Sequence, residues 1–409
     1  MHANEFACRS CGERPVEPVL SLGAIPLVNA LVEPDTTAVD PLYPLDVVRC
    51  PRCTLVQITE GVPPEELFRT YAYFSSYSDS FLAHARRFAA TSIAELRLGG
   101  ESLVVEAASN DGYLLQYFTR AGVPSLGIEP AVNVAAVARE RGVETIAEFL
   151  DSELATQIVE EHGEADLVVA NNVLAHVPDL HGFVSALRTL AGERGLVAVE
   201  VPYLCDLVDR LEFDTIYHEH LSYFTLTSLA PVMRAHDLAI KGVERLRVHG
   251  GSLRVLASAN SEPDASVEHL LAAEDAWGVA ARTRFDDFAQ EIETLRADLR
   301  ELVAGLVLSG ASVAAYGAAA KGVVLANLCG LDAQLVRFVV DRNPRKQGKL
   351  LPGVRIPVKA PEELVREQPD YCVLFAWNLI EEILTQQATY SERGGRFIVP
   401  VPTPRVLGR

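Results

Sequence analysis

The 409-residue sequence lacks any apolar run that approaches the roughly 20 residues a membrane-spanning helix needs. Its first residues show no basic region followed by an apolar stretch, so no signal peptide is expected and the predicted location is the cytoplasm. Positive charge is also scarce. The formal net charge of -19 argues against a nucleic acid polymer or an anionic membrane as partner, because such complexes depend on neutralised phosphates. A small substrate or a partner protein is expected instead.

The sequence also lacks the cysteine pattern of a secreted disulfide framework. Its seven cysteines are an odd number, and three of them stand alone in apolar surroundings. The other four form two C-x-x-C pairs, Cys8 with Cys11 and Cys50 with Cys53. Two such turns can bring four thiolates to one tetrahedral zinc ion, and since no coordination position is left open, the zinc is predicted to be structural. A redox-active disulfide pair is the alternative.

Glycine is scarce in the turn after the first predicted strand of the central region. Residues 103–106 form an apolar run that ends in Glu106, the following turn of small residues has a single glycine, Gly112, and the next strand ends in Glu129. Strand, turn, helix, strand and acid make the first half of a doubly wound nucleotide fold. Without the glycines of the dinucleotide fingerprint, and with Glu106 and Asp111 beside the turn, a pyrophosphate is disfavoured. S-adenosylmethionine, which carries an amino group and a sulfonium, is favoured over NAD.

Other side chains suited to this ligand follow the next strands. Glu129 can accept the ribose hydroxyls, and Glu148 with Phe149 suits an adenine amino group and ring. The segment that begins at Asn171 follows a third strand and would lie under the methionine moiety, as in Class I methyltransferases. A Rossmann-like core that binds no cofactor is the alternative.

Two further clusters carry hydroxyl or proton-transferring groups. In the first, Tyr71, Tyr73 and Tyr77 fall within eight residues that also contain three serines, which indicates either a polar ligand wall or core packing. The second, residues 217–220, has the sequence Tyr-His-Glu-His. Acid/base chemistry is the favoured interpretation, because histidine titrates near neutral pH and a neighbouring carboxylate can orient it. A metal ion bound by His218, Glu219 and His220, or a solvated loop, are the alternatives.

A second strand, turn, helix and strand pattern begins at Ala311. Its turn carries Lys321 and has no carboxylate beside it, so helix amides and a cation are offered to an anion. Four basic residues then fall between Asp341 and Lys349 in an otherwise acidic chain. A diphosphate site shared by Lys321 and this basic stretch is the preferred interpretation, and a solvated loop is the alternative.

These motifs together resemble one family, the deoxysugar C-methyltransferases, which act on TDP-linked 4-keto sugars with S-adenosylmethionine. The family pattern is a two-knuckle zinc segment, E-x-x-S-N-D-G, Y-H-E-H and G-x-x-x-K-G, found here in that order, the last three at 106–112, 217–220 and 317–322. The resemblance covers essentially the whole chain. It implies a zinc-binding domain (1–70), a Class I, Rossmann-like methyltransferase core (71–246) and a C-terminal Rossmann-like α/β domain that binds the nucleotide sugar (247–409). The separable domains are compatible with a monomer.

The resemblance also implies roles for individual residues. His220 is the expected base that removes the C3 proton beside the C4 ketone, assisted by Tyr217 and Glu219, while His176 and Tyr71 or Tyr73 contact the sugar or the developing oxyanion. The implied cofactor-binding residues are Glu106, Ser109, Asn110, Gly112, Glu129, Pro130, Glu148, Phe149, Asn171 and Asn172. The implied substrate-binding residues are Tyr77, Lys321, Asn327, Arg342 and Lys349.

The predicted function is therefore methylation of a carbon of a TDP-linked 4-keto-deoxysugar, most simply C3, through an enolate. The product would be a branched deoxysugar of an antibiotic-type natural product. Two alternatives stay open at this point: an O- or N-methyltransferase acting on another small molecule, and a non-catalytic protein that binds nucleotide sugars.

Overall fold

The computed structural model describes residues 6–407 and divides them into two compact units. The first contains the chain up to Pro18, Val48–Cys205 and Glu219–Ala281, and the second contains Val19–Val47, Asp206–His218 and the chain from Arg282 onward. In the described part of the chain, no helix is long and apolar enough to cross a membrane. The chain thus contributes to the second unit at two places before its C-terminal region.

The N-terminal region is built from short elements. They are β1 (Glu17–Ile25), β2 (Tyr43–Arg49), β3 (Val56–Ile58) and α1 (Pro64–Phe68). The tight turns Cys8–Cys11 and Cys50–Cys53 belong to the first unit, whereas residues 19–47 belong to the second. In the second unit, Asp40 explains part of this placement, because its carboxylate accepts hydrogen bonds from Arg355 at 2.8 Å and from the backbone amide of Gly353 at 2.6 Å. The predicted domains are continuous stretches of the sequence, so they do not place residues 19–47 with the C-terminal region. The domain boundaries stay a prediction.

The first unit contains a seven-stranded sheet with helices between its strands. The elements are α2 (Asp79–Leu96), β4 (Val104–Ala107), α3 (Leu115–Arg120), β5 (Ser125–Ile128), α4 (Val132–Glu140), β6 (Glu144–Ile146), α5 (Ser152–His162), β7 (Leu167–Asn171), α6 (Leu180–Ala191), β8 (Leu196–Pro202), α7 (Leu204–Asp209), β9 (Ser222–Tyr223), α8 (Leu226–Arg234), β10 (Ala239–Leu246), β11 (Ser252–Ser258) and α9 (Ala265–Trp277). Helix α7 crosses from the first unit into the second at Cys205.

The strand order of this sheet determines where a ligand can bind. It is β10-β11-β8-β7-β4-β5-β6, in which β4 to β8 run parallel and β11 is antiparallel to both of its neighbours. The central strands are apolar and buried, as expected for parallel strands covered by helices on both faces. From β4 the chain first forms β5 and β6 on one side of this strand and later β7 and β8 on its other side. A crevice therefore opens at the carboxyl ends of β4, β5 and β7.

The second unit contains a smaller sheet of the same kind. Its elements from residue 282 onward are α10 (Thr283–Leu308), β12 (Val313–Tyr316), α11 (Ala320–Leu328), β13 (Val339–Val340), β14 (Val358–Lys359), α12 (Glu362–Glu367), β15 (Tyr371–Leu374), α13 (Ile380–Gln386), α14 (Ala388–Glu392), β16 (Arg396–Val399) and β17 (Arg405–Leu407). The order is β14-β13-β12-β15-β16-β17, parallel except for β17. The predicted Rossmann-like C-terminal fold is confirmed.

Candidate active site

The turn after β4 is built from backbone conformations that few residues adopt. Ala108, Asn110 and Gly112 have φ angles of 54°, 49° and 73°. A side chain at Gly112 would place its Cβ 2.9 Å from Val143 Cγ2, so the turn requires glycine here for space as well as for conformation. The turn is therefore closely packed against α4 and β6, and it presents the end of β4 to the crevice.

Glu106, at the end of β4, is a buried carboxyl group whose nearest polar neighbour is the side chain of Tyr113. Its side chain has no exposed surface, and neither carboxyl oxygen has a hydrogen-bond partner among residues 6–407. Burial raises the pKa of Glu106 well above its ordinary value, although the side chain of Tyr113 acts in the opposite direction, and the carboxylates of Glu129 and Asp111 raise it further. A cationic ligand group would compensate for the lost solvation of the Glu106 carboxylate and for the repulsion from Glu129 and Asp111. The amino group of S-adenosylmethionine is such a group.

Glu129, directly after β5, is held in place by the backbone. One carboxyl oxygen accepts a hydrogen bond from the amide of Asn110 and the other from the amide of Ala131, each at 2.9 Å. Burial raises the pKa of Glu129 to about 7, although these two amides act in the opposite direction. Each oxygen retains a second lone pair, so the carboxylate can accept the two ribose hydroxyls for which it was predicted.

The second acid of the turn, Asp111, has a structural partner that the sequence analysis did not include. The guanidinium of Arg141 lies 2.8 Å from its carboxylate, and Ser76 donates a hydrogen bond to the same oxygen. Arg141 also donates to the backbone carbonyl of Asp111 at 2.8 Å. Of the two predicted carboxyl groups at the turn, Asp111 is thus ion-paired within the protein, whereas Glu106 has no ion-pair partner among the described residues.

The other predicted cofactor residues lie around the same crevice but differ in their contacts. Ser109 packs on Gly127 of β5, Pro130 follows Glu129, and Asn172 has φ 53°. The side-chain oxygen of Asn171, at the end of β7, is buried without a partner among the described residues. Glu148 is exposed and forms an ion pair with Arg69 at 3.4 Å, and the same guanidinium lies 5.1 Å from the ring centre of Phe149. An adenine ring at Phe149 would therefore have to displace Arg69.

The first unit brings four of the predicted catalytic residues into two contacting pairs. The hydroxyl of Tyr71 donates a hydrogen bond to Glu219 at 2.7 Å, and the ring centres of His176 and His220 are 4.7 Å apart. Burial lowers the pKa of His176 to about 4, so this imidazole is neutral at physiological pH. Tyr73 lies beside Tyr71, with 6.3 Å between ring centres. This cluster combines a neutral imidazole, a second histidine, a carboxylate and phenols.

His218 does not take part in a metal site with its neighbours. Its Nε2 lies 3.2 Å from the carbonyl oxygen of Tyr43 and 3.1 Å from that of Pro44, within the second unit. Among the described residues, the one group of side chains close enough to hold a metal ion is the four-cysteine cluster. The structure thus gives no support to the metal alternative for this loop. Tyr217 is buried and also belongs to the second unit.

The predicted diphosphate-binding cations have separate carboxylate partners in the second unit. Arg342 pairs with Glu382 at 3.1 Å, Lys349 with Glu33 at 3.0 Å, and Lys321 lies 3.9 Å from Glu212. Lys321 also lies 4.8 Å from the ring centre of Trp377. The amide of Asn327 donates to the carbonyls of Val323 and Pro352. Tyr77, in the first unit, is partly exposed and packs on Phe74 at 5.8 Å between ring centres.

The four cysteines of the two knuckles converge on one point. Cys8 and Cys53 have their sulfurs 3.5 Å apart, Cys11 and Cys50 3.4 Å, and all four sulfurs lie within 4.8 Å of one another. A tetrahedral zinc ion with bonds of about 2.3 Å would separate its sulfurs by about 3.8 Å. The cluster therefore fits zinc, and its complete set of four thiolates makes the site structural.

A buried ionic cluster beside the crevice was not predicted from the sequence. Glu200, in β8, accepts a hydrogen bond from Arg254 of β11 at 2.9 Å, and Nε2 of His84 in α2 lies 3.0 Å from the same carboxylate oxygen and 3.0 Å from the Arg254 guanidinium. Arg254 in turn lies 4.4 Å from the ring centre of Phe88. The three ionisable residues come from elements up to 170 positions apart. The available sequence signal for Glu200 was an acidic residue near the end of an apolar strand. Because the same pattern occurs in several strands of this sheet, it does not single out Glu200.

Three family models match consecutive parts of the chain. Residues 8–68 match a family model described as "Putative zinc binding domain", residues 81–241 a methyltransferase domain, and residues 247–402 a C-methyltransferase C-terminal domain. The C-methyltransferase NovU of Streptomyces niveus is 42% identical over 404 residues, which are 98% of this chain and 96% of NovU.

Solved structures were also compared. The magnesium protoporphyrin IX methyltransferase ChlM of Synechocystis PCC 6803 with bound SAM is 15% identical, covers 44% of this chain and 82% of its own, and has a TM-score of 0.34. A methyltransferase of Haloferax volcanii in complex with the activator Trm112 is 12% identical, covers 46% of this chain and 95% of its own, and has a TM-score of 0.35.

Fold and site together define a Class I methyltransferase that uses S-adenosylmethionine and carries a structural zinc site. More narrowly, the chain belongs to the C-methyltransferase family that includes NovU. The family resemblance drawn from the sequence motifs is therefore confirmed. An O- or N-methyltransferase and a non-catalytic binding protein, which the sequence left open, are not supported.

The buried carboxyl of Glu106 leads to a prediction for cofactor affinity. In Glu106→Gln, we expect S-adenosylmethionine to bind roughly 10- to 100-fold more weakly, because a hydrogen bond to a charged group contributes about 1.5–3 kcal/mol.

A pH dependence is expected as well. Because burial raises the pKa of Glu106 and Glu129, these carboxyl groups bind protons more tightly in the free protein. The ligand ammonium and ribose hydroxyls favour the ionised carboxylates, so binding releases these protons. Wild-type affinity should then increase as the pH rises through 7. Titration calorimetry at several pH values measures both effects.

The matched control is Glu101→Gln, the same substitution at an exposed position shortly before β4. It should bind the cofactor as the wild type does at every pH. Equal affinity of Glu106→Gln and Glu101→Gln would contradict the assignment of Glu106 to the cofactor amino group.

Proposed function

We propose that this C-methyltransferase acts on a TDP-linked 4-keto-deoxysugar and methylates C3 through an enolate, in the biosynthesis of a branched deoxysugar of an antibiotic-type natural product. The observation that carries the proposal is the pair of contacts Tyr71–Glu219 and His176–His220. Methylation of a carbon needs removal of a C–H proton, and a C4 ketone acidifies the proton on C3. Two histidines, a carboxylate and phenols in contact are the groups that such a proton transfer requires.

In this proposal His220 is the base. It takes the C3 proton onto an imidazole nitrogen, and the electron pair of the C–H bond moves into the enolate, whose negative charge lies on the C4 oxygen. S-adenosylmethionine supplies the methyl group that the C3 carbon receives. His176 stays neutral because burial lowers its pKa to about 4, so its N–H can donate a hydrogen bond to the enolate oxygen without transferring a charge.

Glu219 and Tyr71 would set the orientation of the base. Their 2.7 Å hydrogen bond fixes the carboxylate that immediately precedes His220 in the chain. We also propose that Tyr73 takes part in proton transfer, that Tyr217 has a catalytic role, and that Tyr77 contacts the substrate. The nucleotide diphosphate would be bound by Lys321, Arg342 and Lys349, each of which would have to exchange its present carboxylate partner for a phosphate oxygen.

The test is an incubation with TDP-4-keto-6-deoxysugars in deuterated water, with and without S-adenosylmethionine. We expect deuterium exchange at C3 in both samples and a new carbon-bound methyl, detected by carbon NMR, only when the cofactor is present. A new methyl with exchange at C5 would move the reaction to that carbon. Cofactor binding with neither exchange nor methylation of any keto sugar in the panel would refute the proposed substrate class.

A further inference from the structure

Leu221 connects the two histidine-bearing segments to the zinc segment. It follows His220 in the chain, and its amide donates a hydrogen bond to the carbonyl of Ala175, the residue before His176, at 2.7 Å. Its own carbonyl accepts a hydrogen bond from the amide of Ile58 in β3 at 3.1 Å. The peptide groups of one residue thus link the backbones beside His220 and His176 to the same short strand. Strand β3 continues this contact by antiparallel pairing with β9.

Arg9, inside the first knuckle, reaches the same point with its side chain. One guanidinium nitrogen lies 2.6 Å from the carbonyl oxygen of Ile58 and 3.5 Å from that of Leu221. The first is a charge-assisted hydrogen bond, which is stronger than one between neutral groups, and the second is a longer contact. The guanidinium therefore contacts both backbone segments, at the carbonyl of Ile58 in β3 and at the carbonyl of Leu221 in the loop after His220.

The backbone of Arg9 is in turn fixed by Gln57, a fully buried residue of β3. The side-chain oxygen of Gln57 accepts a hydrogen bond from the Arg9 amide at 3.1 Å, and its nitrogen donates one to the sulfur of Cys8 at 3.3 Å. Outer hydrogen bonds of this kind orient metal ligands. A continuous series of contacts therefore runs from a zinc ligand through Gln57 and Arg9 to the residue after His220.

We propose that Arg9 is a positioning residue for methyl transfer, through which the zinc knuckle holds the backbone beside His220 and His176 in register. The inference rests on the proposed role of His220 as the base. It assigns to the zinc segment a part in catalysis beyond its own folding. A displacement of about 1 Å at a reacting group can cost on the order of 10²-fold in rate, so loss of this contact should lower turnover without removing any group that touches the substrate.

The experiment compares Arg9→Met, Arg9→Lys and the matched control Arg52→Met, which changes an exposed arginine of the second knuckle. For Arg9→Met we expect full zinc content and unchanged affinity for S-adenosylmethionine, but a kcat lower by about 10- to 100-fold, with little change in KM for the keto sugar. Arg9→Lys should recover part of kcat, since an ammonium can still donate to one carbonyl. Arg52→Met should behave as the wild type.

A second measurement needs no substrate. In protein labelled with ¹³C at the histidine Cε1, the resonances of His176 and His220, assigned through their Asn variants, should shift in Arg9→Met and not in Arg52→Met. Unshifted resonances, or equal kcat in the two Met variants, would overturn the inference. So would a fall in zinc content and cofactor affinity that accounts for the lost turnover. If the wild type methylates no keto sugar, the proposed function fails, and the histidine resonances still decide the role of Arg9.

Discussion

His220→Asn should lose turnover by about 10²–10⁴-fold while still binding S-adenosylmethionine, because removal of a general base typically has an effect of that size. Asparagine keeps a polar side chain of similar volume but cannot accept the C3 proton at neutral pH. The buried position of His220 against His176 means that solvent cannot easily substitute for it. Turnover is measured from methyl transfer to the keto sugar, and cofactor affinity by calorimetry.

His269→Asn is the matched control, since His269 is exposed on α9. It should retain wild-type turnover. The deuterium exchange at C3 separates two possible defects in His220→Asn: exchange should be lost together with methylation if His220 is the base. Normal exchange with slow methylation would instead place the defect in methyl transfer and move the base to another residue, with His176 or Tyr217 as the next to be substituted.

The sequence predicts the strands of both sheets well because each is a short apolar run bounded by turn residues. The apolar run predicted at 103–106 coincides with β4 to within one residue, and the second strand, turn, helix and strand pattern, expected from Ala311, begins with β12 at Val313. These features depend on local periodicity, which a single sequence contains.

The ionic partners of the candidate site could not be predicted in the same way. Asp111 pairs with Arg141, 30 positions later, and Lys349 pairs with Glu33, more than 300 positions earlier. Such pairs depend on which elements the fold places side by side, and no local pattern records that. The acids at the strand ends could therefore be read from the sequence, whereas the charges that are already neutralised within the protein could not. Glu106 is distinguished from Asp111 only by the structure.

The zinc site leads to the second large expected effect. In Cys50→Ser, we expect zinc affinity to fall by more than the roughly 10- to 100-fold that loss of an outer-shell contact alone typically costs, because a thiolate ligand itself is removed. Cys50 has no exposed surface, and its amide and carbonyl hydrogen-bond to Leu55 and Thr54 across the second knuckle. Metal binding is a large part of the folding free energy of small zinc segments, so the variant should lose the ordered structure of both knuckles.

Zinc content and amide hydrogen exchange across residues 6–58 measure this directly, with Cys205→Ser, a buried cysteine outside the cluster, as control. The exchange pattern also reports how far the disorder extends. Because Ile58 and Arg9 hold Leu221, protection should fall at residues 219–223 as well, and turnover should fall with it, while the sheet strands β4 and β7 keep their protection. If Cys50→Ser retained zinc, the four-cysteine site would be contradicted. If it lost zinc but kept the protection of residues 219–223, the knuckles would be stabilised by metal without supporting the loop that carries His220.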